Sequence, residues 1–410
     1  MDQTELTIER LSLHADGVAH GPAGTVHVAM ALPGEVVSGD IVEGRIAVPR
    51  IVTPSDRRVK APCPHYRACG GCVLQHASDD FVAGWKASVV ETALATRGIA
   101  ASVSRVETSP LHSRRRATLA GRRTKKGTLV GFHARASDTL VEVPDCLILR
   151  PELLAALPAL HEATALGGSR KGEIAFALTL SEAGIEMAAK GGKEIEPALF
   201  TQLADLARRH DLARLSWNDE TVAARRPAQQ SFGTAKVTPP PGAFLQATAS
   251  GEAALVDFVR AAVGKSARVA DLFAGCGTFA LPLAANAEVH AVEGDAAMLT
   301  ALDRGWREAQ GLKRVTHEAR DLFRRPLLPD ELDRHNAIVI DPPRAGAEAQ
   351  VREICASKTR TLAYVSCNPV TFARDAQLLI AAGFALRDLI VVDQFRWSAH
   401  VELAARFTRG

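Results

Sequence analysis

The sequence predicts a multidomain α/β protein in which two β-rich parts precede a doubly wound, largely parallel sheet. From residue 243 onward, segments that favour strands alternate with segments that favour helices, which is typical of a parallel sheet covered by helices. Residues 1 to about 55 alternate apolar and polar residues between closely spaced glycines, which favours a small all-β module. The run 237–242 contains consecutive prolines and is predicted to be a stiff linker. We therefore predict domains over residues 1–55, 56–240 and 241–410.

The middle part is predicted to be α+β. A helix is expected over residues 81–96, because apolar residues recur there at helical spacing and Gly98 follows as a stop signal. The other predicted elements are β structure over 102–150, helices over 151–166 and 197–210, and strands within 172–190 and 212–237.

In the third part, helices are predicted over 250–263 and 295–309, and another runs from a Gly-rich turn through Ala287. The predicted strands are 268–273, 288–293, 336–340, 361–365 and 389–394, and the alternating run 399–403 is expected to lie beside strand 361–365.

Composition limits the classes of protein to consider. The 410 residues are 47% apolar, so each predicted part can bury its own core. We expect no membrane span, because no run of about 18 apolar residues occurs. The start lacks the regions of a signal peptide, so we expect a cytoplasmic protein. A net charge of +3 does not by itself indicate a nucleic-acid partner.

Cys367 is the first candidate for chemistry. It follows an apolar run that favours a strand and precedes Asn368-Pro369, which favours a break. Ligands of open α/β sheets bind beyond the carboxyl ends of the strands, so this thiol is predicted at the mouth of a cleft. A buried structural cysteine is the alternative.

A glycine-rich loop is the candidate cofactor site. Gly275 and Gly277 join a predicted strand to a helix, and Glu293 follows sixteen residues after Gly277, where a carboxylate can accept both hydrogen bonds of a ribose diol. A nicotinamide dinucleotide is the competing ligand, but the third glycine of its G-x-G-x-x-G motif is absent. Downstream, Asp341-Pro-Pro-Arg344 follows another strand, and its prolines are expected to hold Asp341 at the same edge.

The cysteines suggest a metal centre. Three of the seven, Cys63, Cys69 and Cys72, lie within ten residues, and Gly70 and Gly71 are expected to provide positive-φ turns between them. Together with Cys146 they give four thiolates, which suit either Zn²⁺ or an iron–sulfur cluster.

Taken together, these motifs resemble the RNA uridine-5-methyltransferase family. The resemblance rests on C-x5-C-G-G-C with Cys146, D-L-F-x-G-x-G, D-P-P-R, S-C-N-P-x-T-x-A-R-D at 366–375, and His400-Val401-Glu402. It implies a class I, Rossmann-like methyltransferase domain, a TRAM-like β-barrel that binds RNA, and a central α+β domain with a [4Fe-4S] cluster. The combination looks most like the 23S rRNA branch.

The resemblance also implies roles for individual residues. Cys367 would be the nucleophile and Glu402 the base. The positions implied to bind S-adenosylmethionine are Gln246, Phe273, Gly275, Gly277, Thr278, Glu293, Asp321 and Asp341. The cluster ligands would be Cys63, Cys69, Cys72 and Cys146, with zinc as the structural alternative.

The chemistry explains why these residue types are needed. Uracil C5 is a poor nucleophile until a thiolate adds to C6, and a base must later remove the C5 proton. The target uridine must also leave any stack. The densest basic stretches, 113–116 and 122–126, are expected to anchor RNA phosphates.

We expect an enzyme that works as a monomer on 23S rRNA, without a membrane partner. Three rivals are a tRNA uridine-5-methyltransferase, an inactive RNA-binding or assembly factor, and an iron–sulfur electron-transfer protein. The pair Cys367 and Glu402 argues against the inactive factor, and the glycine loop with Glu293 argues against pure electron transfer.

Overall fold

A computed structural model describes residues 5–410. The first four residues of the predicted N-terminal module lie outside the described part of the chain. Residues 5–53 contain strands as their regular elements, arranged in a three-stranded sheet (β1-β5-β7) and a four-stranded sheet (β2-β3-β4-β6) around an apolar core of their own. The strands are β1 (Glu5–Thr7), β2 (Arg10–Leu11), β3 (Gly17–Gly21), β4 (Gly24–Val28), β5 (Val36–Ser38), β6 (Arg45–Ile46) and β7 (Arg50–Thr53).

The middle of the chain forms a seven-stranded sheet in the order β11-β10-β9-β12-β13-β14-β15, with a separate β16–β17 hairpin. Apolar side chains of α3 and α4 pack against this sheet in one core. The elements are α1 (Asp79–Ala95), β8 (Arg105–Thr108), β9 (Arg116–Arg123), β10 (Thr128–His133), β11 (Leu140–Val141), α2 (Pro151–Ala155), α3 (Leu157–Gly167), β12 (Glu173–Ser181), β13 (Gly184–Lys190), α4 (Pro197–Arg209), β14 (Arg214–Trp217), β15 (Glu220–Ala224), β16 (Gln230–Phe232) and β17 (Ala235–Val237).

The last part forms an eight-stranded sheet in the order β20-β19-β18-β21-β22-β24-β23-β8. Its elements are α5 (Ala249–Val263), β18 (Arg268–Leu272), α6 (Ala280–Leu283), β19 (Glu288–Glu293), α7 (Ala296–Glu308), β20 (Val315–Ala319), α8 (Pro329–Leu332), β21 (Ala337–Ile340), α9 (Glu348–Ala356), β22 (Thr361–Ser366), α10 (Pro369–Ala381), β23 (Ala385–Asp393) and β24 (Leu403–Thr408). Strands β18 to β22 pair in parallel, whereas β24 is antiparallel to both of its neighbours. The predicted parallel sheet is therefore present, and the strand order reverses between β18 and β21.

Two local predictions in this part are wrong. The helix after the glycine loop is α6, which ends at Leu283 rather than continuing through Ala287. The last strand begins at Leu403, so most of the run 399–403 precedes it instead of forming it. Only the final residue of the alternating pattern belongs to a strand, because residues 398–402 have no regular structure and the ladder with β22 begins at Leu403.

Helix α1 and strand β8 pack with the last part of the chain, although the sequence assigned them to the middle domain. β8 extends the eight-stranded sheet by pairing in parallel with β23, and α1 lies against α10 and β23. Trp85 and Val90 of α1 share one apolar core with Leu379 and Phe407. Periodicity predicted that this helix has a buried face, but it could not identify the surface that covers it.

Candidate functional site

Cys367 and Glu402 lie side by side at the carboxyl edge of the sheet. Ser366, the last residue of β22, pairs with Leu403, the first residue of β24, in an antiparallel ladder. The next opposed positions outward are therefore 367 and 402, and opposed residues of such a ladder direct their side chains to the same face. Glu402 is 5% exposed, and its backbone carbonyl accepts a hydrogen bond from Val392 of β23. The pairing brings a thiol and a buried carboxyl together.

The carboxyl edge also collects the other predicted residues, because neighbouring parallel strands end there. The glycine loop follows β18, Glu293 ends β19, Asp341 follows β21, and Asp321 follows β20. The structure therefore brings these positions together at one edge of the sheet, as the sequence predicted. Their roles remain predictions.

The electrostatics of this edge are dominated by acidic groups in low-dielectric surroundings. Burial and the charge of Asp341 raise the pKa of Glu402 to about 8, and a hydrogen bond from Gln394 acts in the opposite direction. Burial raises the pKa of Asp341 to about 7. Burial, Glu402 and Asp341 raise the pKa of the Cys367 thiol to about 11, and the guanidinium of Arg344 acts against them. The thiol and the carboxyls are thus difficult to ionise together.

Asp271 adds a third carboxyl, near the end of β18. It is fully buried, and neither carboxylate oxygen has a well-formed hydrogen bond to the described residues. Burial and repulsion from Asp341 hold its pKa well above the usual range, while the Ala280 amide acts in the opposite direction. A raised pKa favours the protonated form, so Asp271 is a neutral buried carboxyl beside the glycine loop.

The glycine loop leaves room for a ligand next to the strand end. Gly275 has φ 55°, and a Cβ built on it would meet no atom within 4 Å. Gly277 has φ 96°, and a Cβ there would approach Leu281 to 2.9 Å, so it is required for helix packing as well as for the turn. Phe273 adopts φ 62°, a strained conformation for an aromatic residue and one that clusters at functional sites. Thr278 is partly buried in the same loop.

Glu293 ties this loop to the next strand. One carboxylate oxygen accepts the Gly275 N–H at 3.0 Å, and the other accepts the Asp295 N–H at 3.0 Å. Each oxygen keeps a further lone pair for a hydroxyl. Asp321 is exposed and accepts hydrogen bonds from the backbone of Phe323 and Arg324. Both acidic residues are thus held in place by backbone amides beside the loop.

Gln246 reaches the site from the segment before α5. It is 2% exposed, and its Oε1 accepts a hydrogen bond of 2.6 Å from Gln394. Because the carbonyl end is engaged in this way, the amide nitrogen of Gln246 faces away from Gln394 and is the end that can donate to a ligand. The structure therefore brings this predicted cofactor-contact residue close to Glu402, through Gln394.

Cys367 opens into a cavity of about 550 Å³ between the three parts of the chain. The N-terminal module contributes His14 and Arg45, the middle part contributes Gly71 and Arg135, and the last part contributes residues around Cys367. A space of this size is in the range of small-ligand sites. The thiol is partly buried, so it can contact a ligand in this cavity.

The four predicted metal-ligating cysteines line one other cavity, of about 360 Å³. Burial raises the pKa of Cys63, Cys69 and Cys72, the last to about 12, and Cys146 is near enough to contribute to each shift. In residues 5–410, however, no three His, Cys, Asp or Glu side chains converge closely enough to hold one ion. The arrangement therefore does not confirm the metal prediction, although the donor set is gathered around one space.

The two glycines of the cysteine cluster do not have the predicted backbone conformation. Neither Gly70 nor Gly71 is among the glycines with positive φ. Gly70 is instead needed for close approach, because a Cβ there would lie 2.8 Å from the carbonyl oxygen of His133 at the end of β10. The N–H of Gly71 donates to the Cys69 sulfur at 3.4 Å.

The prediction that residues 113–116 form an RNA-anchoring surface is wrong for its central arginine. Arg115 forms an ion pair with Glu252, which is 9% exposed, and also donates to the Gln246 carbonyl at 3.2 Å. Arg114 and Arg116 stack on Phe395 and Phe244, and burial lowers the pKa of both guanidinium groups. This stretch joins the middle and last parts of the chain. The second stretch exposes Lys125 and Lys126 at the β9–β10 turn.

Three residues of the site were not identified from the sequence. Gln394 lies between Gln246 and Glu402, Asp271 is the buried carboxyl of the loop strand, and Phe323 packs against Phe273 at 5.4 Å between ring centroids. Only Asp271 had a signal, because it belongs to the D-L-F-x-G-x-G motif. Gln394 and Phe323 each follow a strand, and the residues next to them in the sequence form no recognisable motif.

Comparisons with known proteins show the family to which this chain belongs. A family model described as tRNA (Uracil-5-)-methyltransferase matches residues 308–409. An uncharacterised RNA methyltransferase of Brucella suis is 44% identical over 99% of this chain and 98% of its own length. The 23S rRNA (uracil(1939)-C(5))-methyltransferase RlmD of Shewanella piezotolerans is 32% identical over 99% of this chain and 95% of its own length.

One solved structure matches nearly the whole chain. It is the tRNA (uracil-54, C5)-methyltransferase of Pyrococcus abyssi in complex with S-adenosyl-L-homocysteine, with a TM-score of 0.76 and 22% identity. The match covers 98% of this chain and 99% of that one, so the two share their overall fold. No helix within residues 5–410 is both long and apolar enough to span a bilayer.

Proposed function

Because this chain belongs to the RNA uracil-C5-methyltransferase family, whose members take the methyl group from S-adenosylmethionine, we propose that it methylates C5 of a uridine in 23S rRNA. Cys367 is the nucleophile in this proposal, and Glu402 is the base. The observation that carries it is the β22–β24 ladder, which puts positions 367 and 402 opposite each other beside Asp341.

The reaction follows from the groups on this edge. The Cys367 sulfur adds to C6 of the uracil, which makes C5 nucleophilic. S-adenosylmethionine supplies the methyl group as a sulfonium cation. Glu402 then takes the C5 proton, the C5–C6 double bond re-forms, and the S–C6 bond breaks to release the thiolate. Arg344 favours the thiolate, since its charge lowers the pKa of Cys367.

The proposed cofactor residues are those gathered around the glycine loop. Gly275 leaves space for the ligand, Gly277 shapes the turn and lets α6 pack closely behind it, Glu293 accepts the ribose hydroxyls, and Phe273 offers an aromatic surface. Gln246, Thr278, Asp321 and Asp341 complete the set.

We also propose that the four cysteines hold a [4Fe-4S] cluster rather than zinc. Tetrahedral zinc with Zn–S bonds of about 2.3 Å needs sulfurs only about 3.8 Å apart. All four thiols line one cavity of about 360 Å³, which supports a shared site for them. The choice of the cluster over zinc rests on the resemblance to the family. The proposed role is in folding, because the site ties residue 63 to residue 146.

The choice of 23S rRNA has two supports. The RlmD relative matches over the full length of this chain, and the N-terminal β module contributes to the cavity next to Cys367. This module is proposed to be a TRAM-like RNA-binding domain. A tRNA substrate is the second candidate, because the family model and the Pyrococcus structure carry tRNA methyltransferase names.

A covalent-trapping experiment tests the activity. Transcripts of 23S rRNA made with 5-fluorouridine have no C5 proton to remove, so the enzyme with S-adenosylmethionine should form an adduct that survives a denaturing gel. Cys367→Ala should form none, and Cys355→Ala, a partly buried thiol outside the site, is the matched control that should behave as wild type. An adduct that persists in Cys367→Ala would refute the nucleophile assignment.

A second experiment identifies the base and the substrate. With natural RNA, Glu402→Gln should accumulate a methylated adduct, whereas rapid turnover by this variant would reject its role. Mapping 5-methyluridine in rRNA and tRNA from a deletion strain distinguishes the two substrates. Loss of a modification in tRNA alone would overturn the 23S rRNA proposal.

A further inference from the structure

Gln394 connects the proposed base to a second buried side chain of the site. It is 1% exposed and follows the last residue of β23. Its Nε2 donates to Glu402 Oε2 at 2.7 Å and to Gln246 Oε1 at 2.6 Å. The amide nitrogen has two hydrogens, so both donors are used in these contacts.

The orientation of this amide is fixed by its other end. The backbone N–H of Thr248 donates to Gln394 Oε1 at 3.2 Å. The Thr248 N–H needs an acceptor, so the oxygen of the Gln394 amide must face it. The amide nitrogen then faces Gln246 Oε1 and Glu402 Oε2, which are both acceptors. The opposite orientation of the amide would place its NH₂ against the Thr248 N–H and its oxygen against the Glu402 carboxylate. The network therefore has one satisfactory arrangement.

Packing holds the side chain in this position. Gly251 lies in the first turn of α5, and a Cβ built on it would be only 2.3 Å from Gln394 Cγ. Thr248, the N-cap of this helix, accepts the Gly251 N–H through its hydroxyl at 3.0 Å. The start of α5 thus lies directly against Gln394 because residue 251 has no side chain.

We propose that Gln394 is a positioning residue for the removal of the C5 proton, which it assists by hydrogen bonding to the ionised carboxylate of Glu402 and holding it beside Gln246. This inference rests on the proposed function. It assigns Gln394 no contact with the substrate. A carboxylate that receives an N–H bond is stabilised in its charged form, which is the form that can accept a proton.

The surroundings of Glu402 make this donor important. Asp341, which follows β21, is the acidic group that raises the pKa of Glu402, and the thiol of Cys367, which follows β22, also lies near it. Asp341 and burial disfavour ionisation of Glu402, and the hydrogen bond from Gln394 opposes them. Without that bond, Glu402 would remain protonated to a higher pH.

The test separates methyl transfer from product release under single-turnover conditions. Full-length enzyme in excess is mixed with a 23S rRNA transcript and S-adenosylmethionine labelled in the methyl group. Label in the protein–RNA adduct reports methyl transfer, and label in free RNA reports release, each measured between pH 6 and 9. The variants are Gln394→Met, which removes the donor, and Gly251→Ala, which displaces the side chain. Gln377→Met on the exposed face of α10 is the control.

We expect Gln394→Met to release product about 10- to 100-fold more slowly at pH 7, because a hydrogen bond to a charged group is worth one to two pKa units. Its release rate should approach that of wild type as the pH rises. The acid limb of its pH profile should therefore move upward by about one to two pH units. Gly251→Ala should shift in the same direction, and Gln377→Met should not shift.

Several results would overturn the inference. The inference fails if Gln394→Met releases product as fast as wild type, or if release is slowed equally at every pH. It also fails if this variant transfers the methyl group more slowly but releases product normally. If Gln394→Met does not fold, the profile of Gly251→Ala decides in the same way. If wild-type enzyme places label in neither the adduct nor the free RNA, the proposed function itself fails, which is a different outcome from normal labelling of the RNA without a pH shift.

Discussion

Replacing Lys86 with methionine is expected to loosen α1 and to slow removal of the C5 proton. Lys86 is completely buried, and its ammonium donates to Asp393 Oδ1 and, at 3.0 Å, to the carbonyl of Phe395. Asp393 is 1% exposed, and its second carboxylate oxygen has no partner among the described residues. This ion pair fixes the two residues on either side of Gln394.

The size of the effect follows from burial. Removing one partner of a buried ion pair leaves an uncompensated charge and costs about 3–5 kcal/mol. In Lys86→Met/Asp393→Asn the remaining charge is gone, while the side-chain oxygen can still accept the Phe395 N–H, which is 3.1 Å away in the native chain. We expect this double variant to recover at least about 2 kcal/mol of the loss.

The measurement is native-state hydrogen exchange of the α1 amides, which reports the free energy of local opening without assuming two-state unfolding of a multidomain chain. The double-mutant cycle with Asp393→Asn gives the coupling between the two residues. A loss below about 1 kcal/mol in Lys86→Met, or a double variant as unstable as the sum of the single ones, would refute the reasoning.

Three further predictions concern the carboxyls, the cysteines and the arginines. The folded-state pKa of Glu402 is raised from 4.5 to about 8, so the unfolded chain loses this proton first and the unliganded fold is destabilised increasingly from pH 4.5 to 8; Glu402→Gln should therefore be more stable by up to about 4 kcal/mol at pH 7.5, and the difference, measured by native-state hydrogen exchange of the β24 amides, should vanish near pH 4.5. Purified protein should contain about four iron atoms and four sulfides per chain, and Cys146→Ser should lose them and part of its stability, whereas one zinc per chain without iron would contradict the cluster. Arg115→Ala should destabilise the fold and leave the salt dependence of RNA binding unchanged, whereas Lys125→Ala/Lys126→Ala should reduce the slope of log K against log salt; the reverse pattern would contradict the internal role of Arg115.

The parts of the site that the sequence predicts are those governed by local rules. Strand ends in a parallel sheet share one edge, so the positions of Gly275, Glu293, Asp341 and Cys367 follow from the order of elements alone. Glu402 was expected beside Cys367 for a related reason, although strand β24 begins one residue after it. These predictions needed periodicity and chain direction, but no knowledge of distant contacts.

The predictions that failed depended on partners far away in the sequence. Residues 113–116 look like a solvated basic run, but the acid that pairs with Arg115 is Glu252, more than a hundred residues downstream. The buried face of α1 gave no indication that α10 and β23 cover it. Gln394 has an ordinary polar side chain, and it gained importance only when Gln246, Thr248 and Glu402 met around it.

The burial that makes the site difficult to ionise also explains its chemistry. A thiol with a pKa near 11 gives a strongly nucleophilic thiolate, but one that needs a nearby positive charge in order to form. Arg344 is the cation that the chain itself provides. Glu402, the proposed base, has a pKa of about 8, close to neutral pH, where a group both takes and returns a proton efficiently. Gln394 acts to lower that pKa against burial and Asp341, so a fraction of Glu402 is ionised at neutral pH while it stays shielded from water.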